Sequence, residues 1–253
     1  MSTHASYERI TVVDYDDGTT LITLNRPEKR NAICRTTAIE LQRAFAAFDS
    51  QDSQRAAVVT GAGNDAFSAG ADITDLPELW RCIPTVGITT EKPIISAVSG
   101  WCVGGALVMV MMGDLIVAAD NTQFSYPEAR LGFTGGMIAE LANRIAHHAA
   151  MDLILLGRPI DAKRAYQLGF VNDVVPTGEH VQHALGLARE LAASSPLVLR
   201  TLKRFVNDAV MTPGPSVLAG RAARDLGIVS ESDDSREGAA AFKEKRQPRY
   251  TGR

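Results

Sequence analysis

Residues Val58–Ile73 read VVTGAGNDAFSAGADI, and this stretch decides the fold expected of the chain. The β-branched run at Ala56–Thr60 predicts a buried strand, which a Gly-Ala-Gly bend ends. Small residues at Ser68–Ala71 would let a ligand approach the main chain, where fixed N–H groups are good donors to a developing oxyanion. A small-residue loop is also typical of a plain turn, so both interpretations stay open. The stretch contains no P-loop or G-x-G-x-x-G phosphate-binding motif.

A second stretch, Ala97–Gly113, reads AVSGWCVGGALVMVMMG and predicts a strand, a turn at Gly100 and a helix that begins near Gly105. The amide of Gly105 would then be one of the free N–H groups at a helix N-terminus, which favour negative charge. Two backbone donors in one core indicate a two-amide oxyanion hole, whose natural target is the carbonyl of an enolising thioester. A glycine pair also allows close helix–strand packing, which is the structural alternative.

The uncharged run Pro93–Gly113 is long enough to suggest a membrane span. Its glycines fall where turns are needed, however, which favours a buried core with strands at Ile94–Val98 and Leu115–Ala119. We therefore expect no membrane segment.

A third stretch, FSYPE at Phe124–Glu128, places an acid just after a strand and a proline. A single glutamate is usually a solvated surface residue. In apolar surroundings its pKa would rise, and it could then serve as a general base or acid.

The composition excludes several classes of protein. The 253 residues contain 26 Lys plus Arg against 29 Asp plus Glu, a balance that offers no field for a nucleic-acid backbone. The three cysteines are widely spaced and fit a reducing compartment. His147 and His148 are adjacent and would point in different directions on a helix, so we expect no metal site. No secretory signal is visible in MSTHASYERI, and a cytoplasmic protein is the expectation.

Hydrophobic periodicity predicts alternating strands and helices up to about Val175 and helices alone after it. Strands at Ile10–Asp14 and Thr20–Asn25 flank an Asp-Asp-Gly turn, and a helix is expected at Thr36–Asp49. Gly136–His148 is also predicted to be helical. The expected architecture is an α/β core followed by a helical C-terminal module.

Taken together, these segments resemble the crotonase superfamily, the enoyl-CoA hydratase/isomerase family. The matching segments are NRPEKRNAI at Asn25–Ile33, FSAGADI at Phe67–Ile73 and the long glycine-rich segment Gly100–Gly132. The likeness runs in order from about Ile10 to Tyr250.

The resemblance implies a spiral core of ββα units at residues 1–195 and a helical trimerisation module at 196–253. It also implies a homotrimer or a dimer of trimers, an acyl-CoA thioester as substrate, and no separate cofactor. Apolar positions on the predicted C-terminal helix fit such contacts: Leu197, Leu199, Leu202, Phe205 and Val206.

The same resemblance assigns the site residues. The amides of Ala71 and Gly105 would form the oxyanion hole, and Glu128 would be the catalytic acid–base group. The CoA arm would lie along six further positions, namely Lys29, Arg30, Ala32, Ala69, Asp72 and Ile73. The acyl pocket would be lined by Trp101, Gly104 and Val108.

One departure from the family bears on the reaction. Hydratases of this family place a second glutamate three residues after the oxyanion glycine, a position held here by Val108. One carboxylate suffices to move a proton between C2 and C4 of an enoyl-CoA, so double-bond isomerisation is the preferred interpretation. The alternatives are hydration, decarboxylation, thioester hydrolysis, and a catalytically silent acyl-CoA binder.

Two further departures concern the walls of the pocket. The segment from Asp72 to Pro93 is shorter than is usual in the family. The loop after Glu128 reads LGFTGGM, which lacks the usual P-G-x-G-G pattern and could bring Glu140 towards the site as a second acid.

Overall fold

The computed structural model describes residues 7–253, and the first six residues, which belong to the segment searched for a secretory signal, lie outside this range. Its main sheet has six strands in the order β1-β2-β3-β5-β7-β10. Their bounds are Ile10–Asp14 (β1), Thr19–Leu24 (β2), Ala56–Gly61 (β3), Ile94–Val98 (β5), Leu115–Ala119 (β7) and Asp173–Val175 (β10).

The first hairpin forms as its turn sequence predicts. β1 and β2 are antiparallel, with Ile10 opposite Leu24 and Asp14 opposite Thr20. Asp17 accepts a hydrogen bond from the N–H of Thr19 at 3.1 Å, which fixes the turn. The remaining strand pairs of this sheet are parallel.

The middle strands of the main sheet are buried on both faces. Ala56, Val58 and Ile95 pack against Ala184 and Leu185 on one face. These two residues belong to helix α6, at His180–Ala193. The opposite face packs into the principal core, which explains why β3 and β5 have continuous apolar sequences instead of alternating ones.

A second sheet has four short strands in the order β4-β6-β8-β9. They lie at Ala66–Ser68 (β4), Trp101–Val103 (β6), Gln123–Ser125 (β8) and Ile160–Asp161 (β9). β4, β6 and β8 each follow a long strand of the main sheet after a tight bend. This repetition of a long strand, a short strand and a helical segment is the ββα spiral that the resemblance implied.

Helical segments complete the core. The α-helices are Arg35–Ser50 (α1), Gly105–Met111 (α2), Glu128–Leu131 (α3), His147–Met151 (α4) and Ala162–Gln167 (α5). Three 3₁₀ turns lie at Pro27–Lys29, Leu79–Cys82 and Met137–Asn143, and a π turn lies at Asp152–Leu156. The single helix predicted over 136–148 is therefore wrong: Ala146 adopts an extended ψ of 130°, which separates the 3₁₀ turn from α4.

Residues 196–253 contain helices α7 (Pro196–Phe205), α8 (Pro215–Ser230) and α9 (Asp233–Glu244), with a π turn at Val206–Val210. α8 packs against the turns at Leu79–Cys82 and Met137–Asn143. Many apolar side chains of this C-terminal segment are exposed to solvent, including Leu197, Leu202, Phe205 and Val206. Among residues 7–253, no helix is both long enough and apolar enough to cross a membrane.

His180 begins α6 as a buried histidine, and its Nδ1 has no hydrogen-bond partner among the described residues. Burial lowers its pKa below the ordinary value of 6.5. On acidification the unfolded chain therefore takes up this proton before the folded protein does. His180 consequently lowers the free energy of unfolding as the pH falls below 6.5.

We predict that His180→Gln makes stability less sensitive to acid. The difference in unfolding free energy between variant and wild type should be constant above about pH 7 and shift in favour of the variant below it. Urea denaturation at a series of pH values measures this difference. A difference that stays constant down to about pH 5 would contradict the assignment.

Candidate active site

A cavity of ≈160 Å³ lies where the second sheet meets the start of α2. Four chain segments, far apart in sequence, contribute its walls. The lining residues are Ala69, Gly70, Ala71, Ile73, Leu79, Val103, Gly104, Gly105, Val108, Tyr126, Pro127, Glu128, Leu131, Phe133, Gly135 and Met137. Apart from Glu128 and Tyr126, this lining carries no titratable side chain.

The first free amide belongs to Ala71. Ile33 donates its N–H to the Gly70 carbonyl at 2.8 Å, and Asp72 donates to the Ile33 carbonyl at 2.8 Å. In this parallel bridge the N–H of Ala71 faces away from Ile33. It makes no hydrogen bond to any of the described residues.

The second free amide belongs to Gly105, the first residue of α2. No side chain caps this helix end, and the Gly105 N–H has no partner within residues 7–253. A Cβ on Gly105 would lie 2.5 Å from Cδ2 of Leu79, so a larger residue there would require the Leu79 side chain to shift. The cavity therefore receives a bare main-chain donor at this point.

Gly70 brings the two amides together. Its φ is +89°, and a Cβ on it would lie 2.7 Å from the Val103 carbonyl oxygen and 3.6 Å from the Gly105 nitrogen. The chain at 70–71 is therefore in close contact with the chain at 103–105. Two unpaired N–H groups of the same cavity can donate to one carbonyl oxygen.

Glu128 is the single carboxylate of the lining. It begins α3 directly after Pro127, and 6% of its surface is exposed. A Cβ on Gly104 would collide with its Oε1, and its Oε2 is buried without a hydrogen-bond partner among the described residues. Burial raises the pKa of Glu128 to about 7. A carboxyl group in this state can both take up and release a proton near neutral pH.

Val108 lies one helical turn beyond Gly105 and faces the same cavity, with 3% of its surface exposed. The position from which a second acid could act therefore presents methyl groups. Leu79, Val103 and Met137 extend this apolar wall.

Of the other predicted site residues, Ala69, Ile73 and Gly104 line the cavity, whereas Trp101 does not. Trp101 begins β6, two residues before the lining residue Val103. With 42% of its surface exposed, Trp101 lies outside this cavity, and its role in the acyl pocket stays a prediction.

Ala69 and Ile73 are the residues predicted along the CoA arm that line the cavity, whereas Lys29, Arg30, Ala32 and Asp72 do not. Lys29 and Arg30 are exposed, and Ala32 is partly buried. The Arg30 carbonyl accepts the N–H of Ala69 at 2.9 Å, which ties this loop to the edge of the site.

Asp72, predicted to contact CoA, has local partners instead. Its side chain accepts hydrogen bonds from the hydroxyl and N–H of Thr74 and from Nη1 of Arg26 at 3.1 Å. The Thr74 bonds, followed by Arg26, lower the pKa of Asp72. This residue therefore fixes the loop that carries Ala71.

Glu140 does not reach the cavity. Its Oε1 accepts the N–H of Gly214 at 2.6 Å, and its Oε2 lies 3.6 Å from Nη1 of Arg144. The Glu140 side chain is buried, and its hydrogen bond to Gly214 engages the residue that directly precedes α8. The hypothesis that Glu140 approaches the site as a second acid is therefore not supported.

Several lining residues were not predicted from the sequence, among them Leu79, Tyr126, Phe133 and Met137. Tyr126 could have been found, because it directly precedes the Pro-Glu pair. The others belong to loops or single turns whose short sequences carry no periodic signal.

Comparisons with known proteins agree on one family. The family model described as enoyl-CoA hydratase/isomerase matches residues 14–253. A carnitinyl-CoA dehydratase of Salmonella arizonae is 34% identical over 246 residues, covering 91% of this chain and 94% of that protein. The protein of the same name from Escherichia coli K12 is 33% identical over 259 residues, covering 92% and 94%.

Solved structures give the same result. The enoyl-CoA hydratase of Mycobacterium tuberculosis H37Rv superposes with a TM-score of 0.75 and 31% identity, covering 97% of this chain and 99% of that one. The carnitinyl-CoA hydratase of Mycobacterium avium has a TM-score of 0.76 and 28% identity, with coverage of 98% and 100%.

We predict that Gly104→Ala lowers the free energy of unfolding by about 1–3 kcal/mol, because the new Cβ collides with Glu128 and the backbone is strained. Gly169→Ala is the matched control, since Gly169 also has a positive φ, of +72°, but open space around it. Denaturant unfolding compares the two variants. Equal losses would show that the collision with Glu128 contributes nothing.

We predict that Glu140→Gln weakens the packing of α8 on the core. The substitution replaces the charged acceptor of the Gly214 N–H with a neutral one, and it removes the negative charge that pairs with Arg144. The expected loss is about 1–3 kcal/mol in the free energy of unfolding. Hydrogen exchange should become faster in α8 and unchanged in β3 and β5. Unchanged exchange in α8 would contradict the anchoring role.

Proposed function

The chain belongs to the enoyl-CoA hydratase/isomerase family, and on this premise we propose that it isomerises the double bond of an enoyl-CoA thioester, with Glu128 as its single acid–base group. The observation that carries this proposal is the content of the cavity. Its lining includes Ala71 and Gly105, whose amides have no partner among the described residues, one buried carboxylate of raised pKa, and Val108 at the second acid position.

The amides of Ala71 and Gly105 would donate to the thioester carbonyl oxygen. Negative charge grows on that oxygen as a proton leaves C2, so these fixed donors stabilise the enolate more than the ground state. They need no reorganisation, because the surrounding backbone contacts already hold them.

Glu128 would carry the proton. As a carboxylate it removes a proton from C2 of a 3-enoyl thioester, and the electron pair left behind forms the extended dienolate. The protonated Glu128 then returns this proton to C4, and the double bond comes to lie between C2 and C3. Atoms and charge balance, and neither water nor an outside reductant takes part.

Hydration or its reverse, dehydration, is the second candidate. The names of the carnitinyl-CoA dehydratases that resemble this chain favour it. In that reaction Glu128 would transfer the proton at C2 and also the proton gained or lost at the C3 oxygen, because Val108 has no group that can exchange a proton.

The remaining proposals concern binding and assembly. Exposed Lys29 and Arg30, at the edge of the site, suit the phosphates of a CoA arm. The exposed apolar residues of α7 support a homotrimer or a dimer of trimers.

We predict that Glu128→Gln lowers the rate of C2 proton exchange in D₂O by about 10²–10⁴-fold, since it removes the base. Mass spectrometry of acyl-CoA thioesters measures the exchange. In the wild type, kcat/KM should rise with pH through the pKa of Glu128 at about 7, because the carboxylate is the active form. Glu190→Gln is the control, because Glu190 is exposed on α6 and does not line the cavity, and it should exchange normally.

Product analysis separates the candidates. Conversion of a 3-enoyl-CoA to the 2-enoyl-CoA without hydroxyacyl product favours isomerisation. Accumulation of 3-hydroxyacyl-CoA favours hydration. Tight CoA-thioester binding without any exchange would mark a silent binder and contradict an enzymatic role.

A further inference from the structure

Residues 132–136, GFTGG, form a loop between α3 and the turn at Met137–Asn143, and we call it the wall loop. Phe133 and Gly135 of this loop line the cavity that holds Glu128. Three of its five residues are glycine, and Gly132 and Gly136 have positive φ angles of 77° and 76°. Such a sequence has little stiffness of its own, so the position of this cavity wall depends on what the loop is bonded to.

Thr134 provides the side-chain attachment of the wall loop. Its Oγ1 accepts the N–H of Gly136 at 3.0 Å and lies 2.7 Å from the hydroxyl oxygen of Tyr126. Within residues 7–253, no other side-chain hydrogen bond involves this loop. The Tyr126 hydroxyl therefore links the exposed loop to the segment that carries Glu128.

Tyr126 itself is held firmly. It follows β8 directly, 4% of its surface is exposed, and its ring belongs to the principal core. A buried hydroxyl needs a hydrogen-bond partner, and Thr134 supplies one. Because one partner is fixed and the other lies on a flexible loop, this bond positions the loop.

The phenol keeps its proton across the range in which Glu128 titrates. Burial raises the pKa of Tyr126, and the nearby charge of Glu128 raises it further, although the bond to Thr134 acts in the opposite direction. The link between Tyr126 and Thr134 is thus present in both protonation states of Glu128.

The size of the cavity limits the size of the substrate group that can lie against the wall loop. At ≈160 Å³ it is close to the cavities of about 150 Å³ that hold one benzene molecule. Apolar side chains such as Leu79, Val103 and Met137 surround this space. A small apolar group of about the size of benzene fits this space.

We propose that the hydroxyl pair of Tyr126 and Thr134 determines acyl-chain specificity by holding the wall loop as a barrier at the end of the acyl cavity, so that short apolar enoyl groups are accepted and long ones excluded. This inference rests on the proposed function, because it assumes that an acyl-CoA thioester occupies the cavity. Tyr126 and Thr134 are positioning residues in this scheme, and proton transfer remains with Glu128.

The test compares Tyr126→Phe, Thr134→Val and the double variant. For each protein, kcat/KM for C2 proton exchange is measured on enoyl-CoA substrates of about four to ten carbons. Both single variants remove the same bond, so both should raise the preference for long over short chains by about tenfold or more. The double variant should match Thr134→Val, which also loses the acceptor of the Gly136 N–H, since the bond between Tyr126 and Thr134 cannot be lost twice.

A second measurement needs no substrate. Hydrogen exchange of the wall-loop amides should become faster in Tyr126→Phe and Thr134→Val, while β3 and β5 stay protected. Tyr166→Phe is the matched control, because Tyr166 is 55% exposed and lies on α5, and it should change neither exchange nor chain-length preference. Thr134 is exposed, so its variant keeps the test valid even if Tyr126→Phe folds poorly.

The possible outcomes distinguish a failure of this inference from a failure of the proposed function on which it rests. A wild type that exchanges no C2 proton on any enoyl-CoA overturns the proposed function and the acyl assignment with it. An active wild type whose chain-length preference is unchanged in both variants overturns the specificity role alone. Effects of Tyr126→Phe and Thr134→Val that add in the double variant would also overturn it, since they would arise from separate contacts.

Discussion

The close approach of two main-chain segments, at Gly70 and at Gly104–Gly105, is the constraint on which the site depends. A Cβ on Gly70 would lie 2.7 Å from the Val103 carbonyl oxygen, and one on Gly105 would lie 2.5 Å from Leu79. A side chain on Gly70 would push its loop away from Val103 and Gly105, because the atom it meets is a backbone oxygen, whereas one on Gly105 would displace the Leu79 side chain. The glycine at position 70 therefore lets the segments that carry the amides of residues 71 and 105 lie against one another.

Hydrogen bonding distinguishes the polar groups that build this site from those left available for chemistry. Asn31 donates to the carbonyls of Ala62 and Ala66, Asp72 pairs with Arg26, and Glu140 is satisfied by Gly214. These groups hold loops in place. The amides of Ala71 and Gly105 and the Oε2 of Glu128 also belong to cavity-lining residues, and they have no hydrogen-bond partner within residues 7–253.

Buried polar atoms without partners are uncommon in folded proteins because they have lost their hydration without replacement. The Oε2 of Glu128 is such an atom, and together with the amides of Ala71 and Gly105 it is consistent with a site whose bonds are completed by a ligand. The apolar wall around them has a second effect, because it destabilises the charged form of Glu128 and raises its pKa to about 7. Val108 and Leu79 thus influence the acid–base chemistry although neither can exchange a proton.

The sequence by itself determined the long strands, the turns between them, the order of the elements and the family, because continuous apolar runs, glycine turns and motifs are local properties. Motifs in the sequence also predicted that Ala71, Gly105, Glu128 and Val108 belong to the site. It missed the three-residue strands of the second sheet, since so short a strand has no period to detect. Only the tertiary structure placed Trp101 outside the cavity, gave Glu140 its partner at Gly214, and joined Tyr126 to Thr134. These outcomes depend on which distant segments meet in space, and no local pattern carries that information.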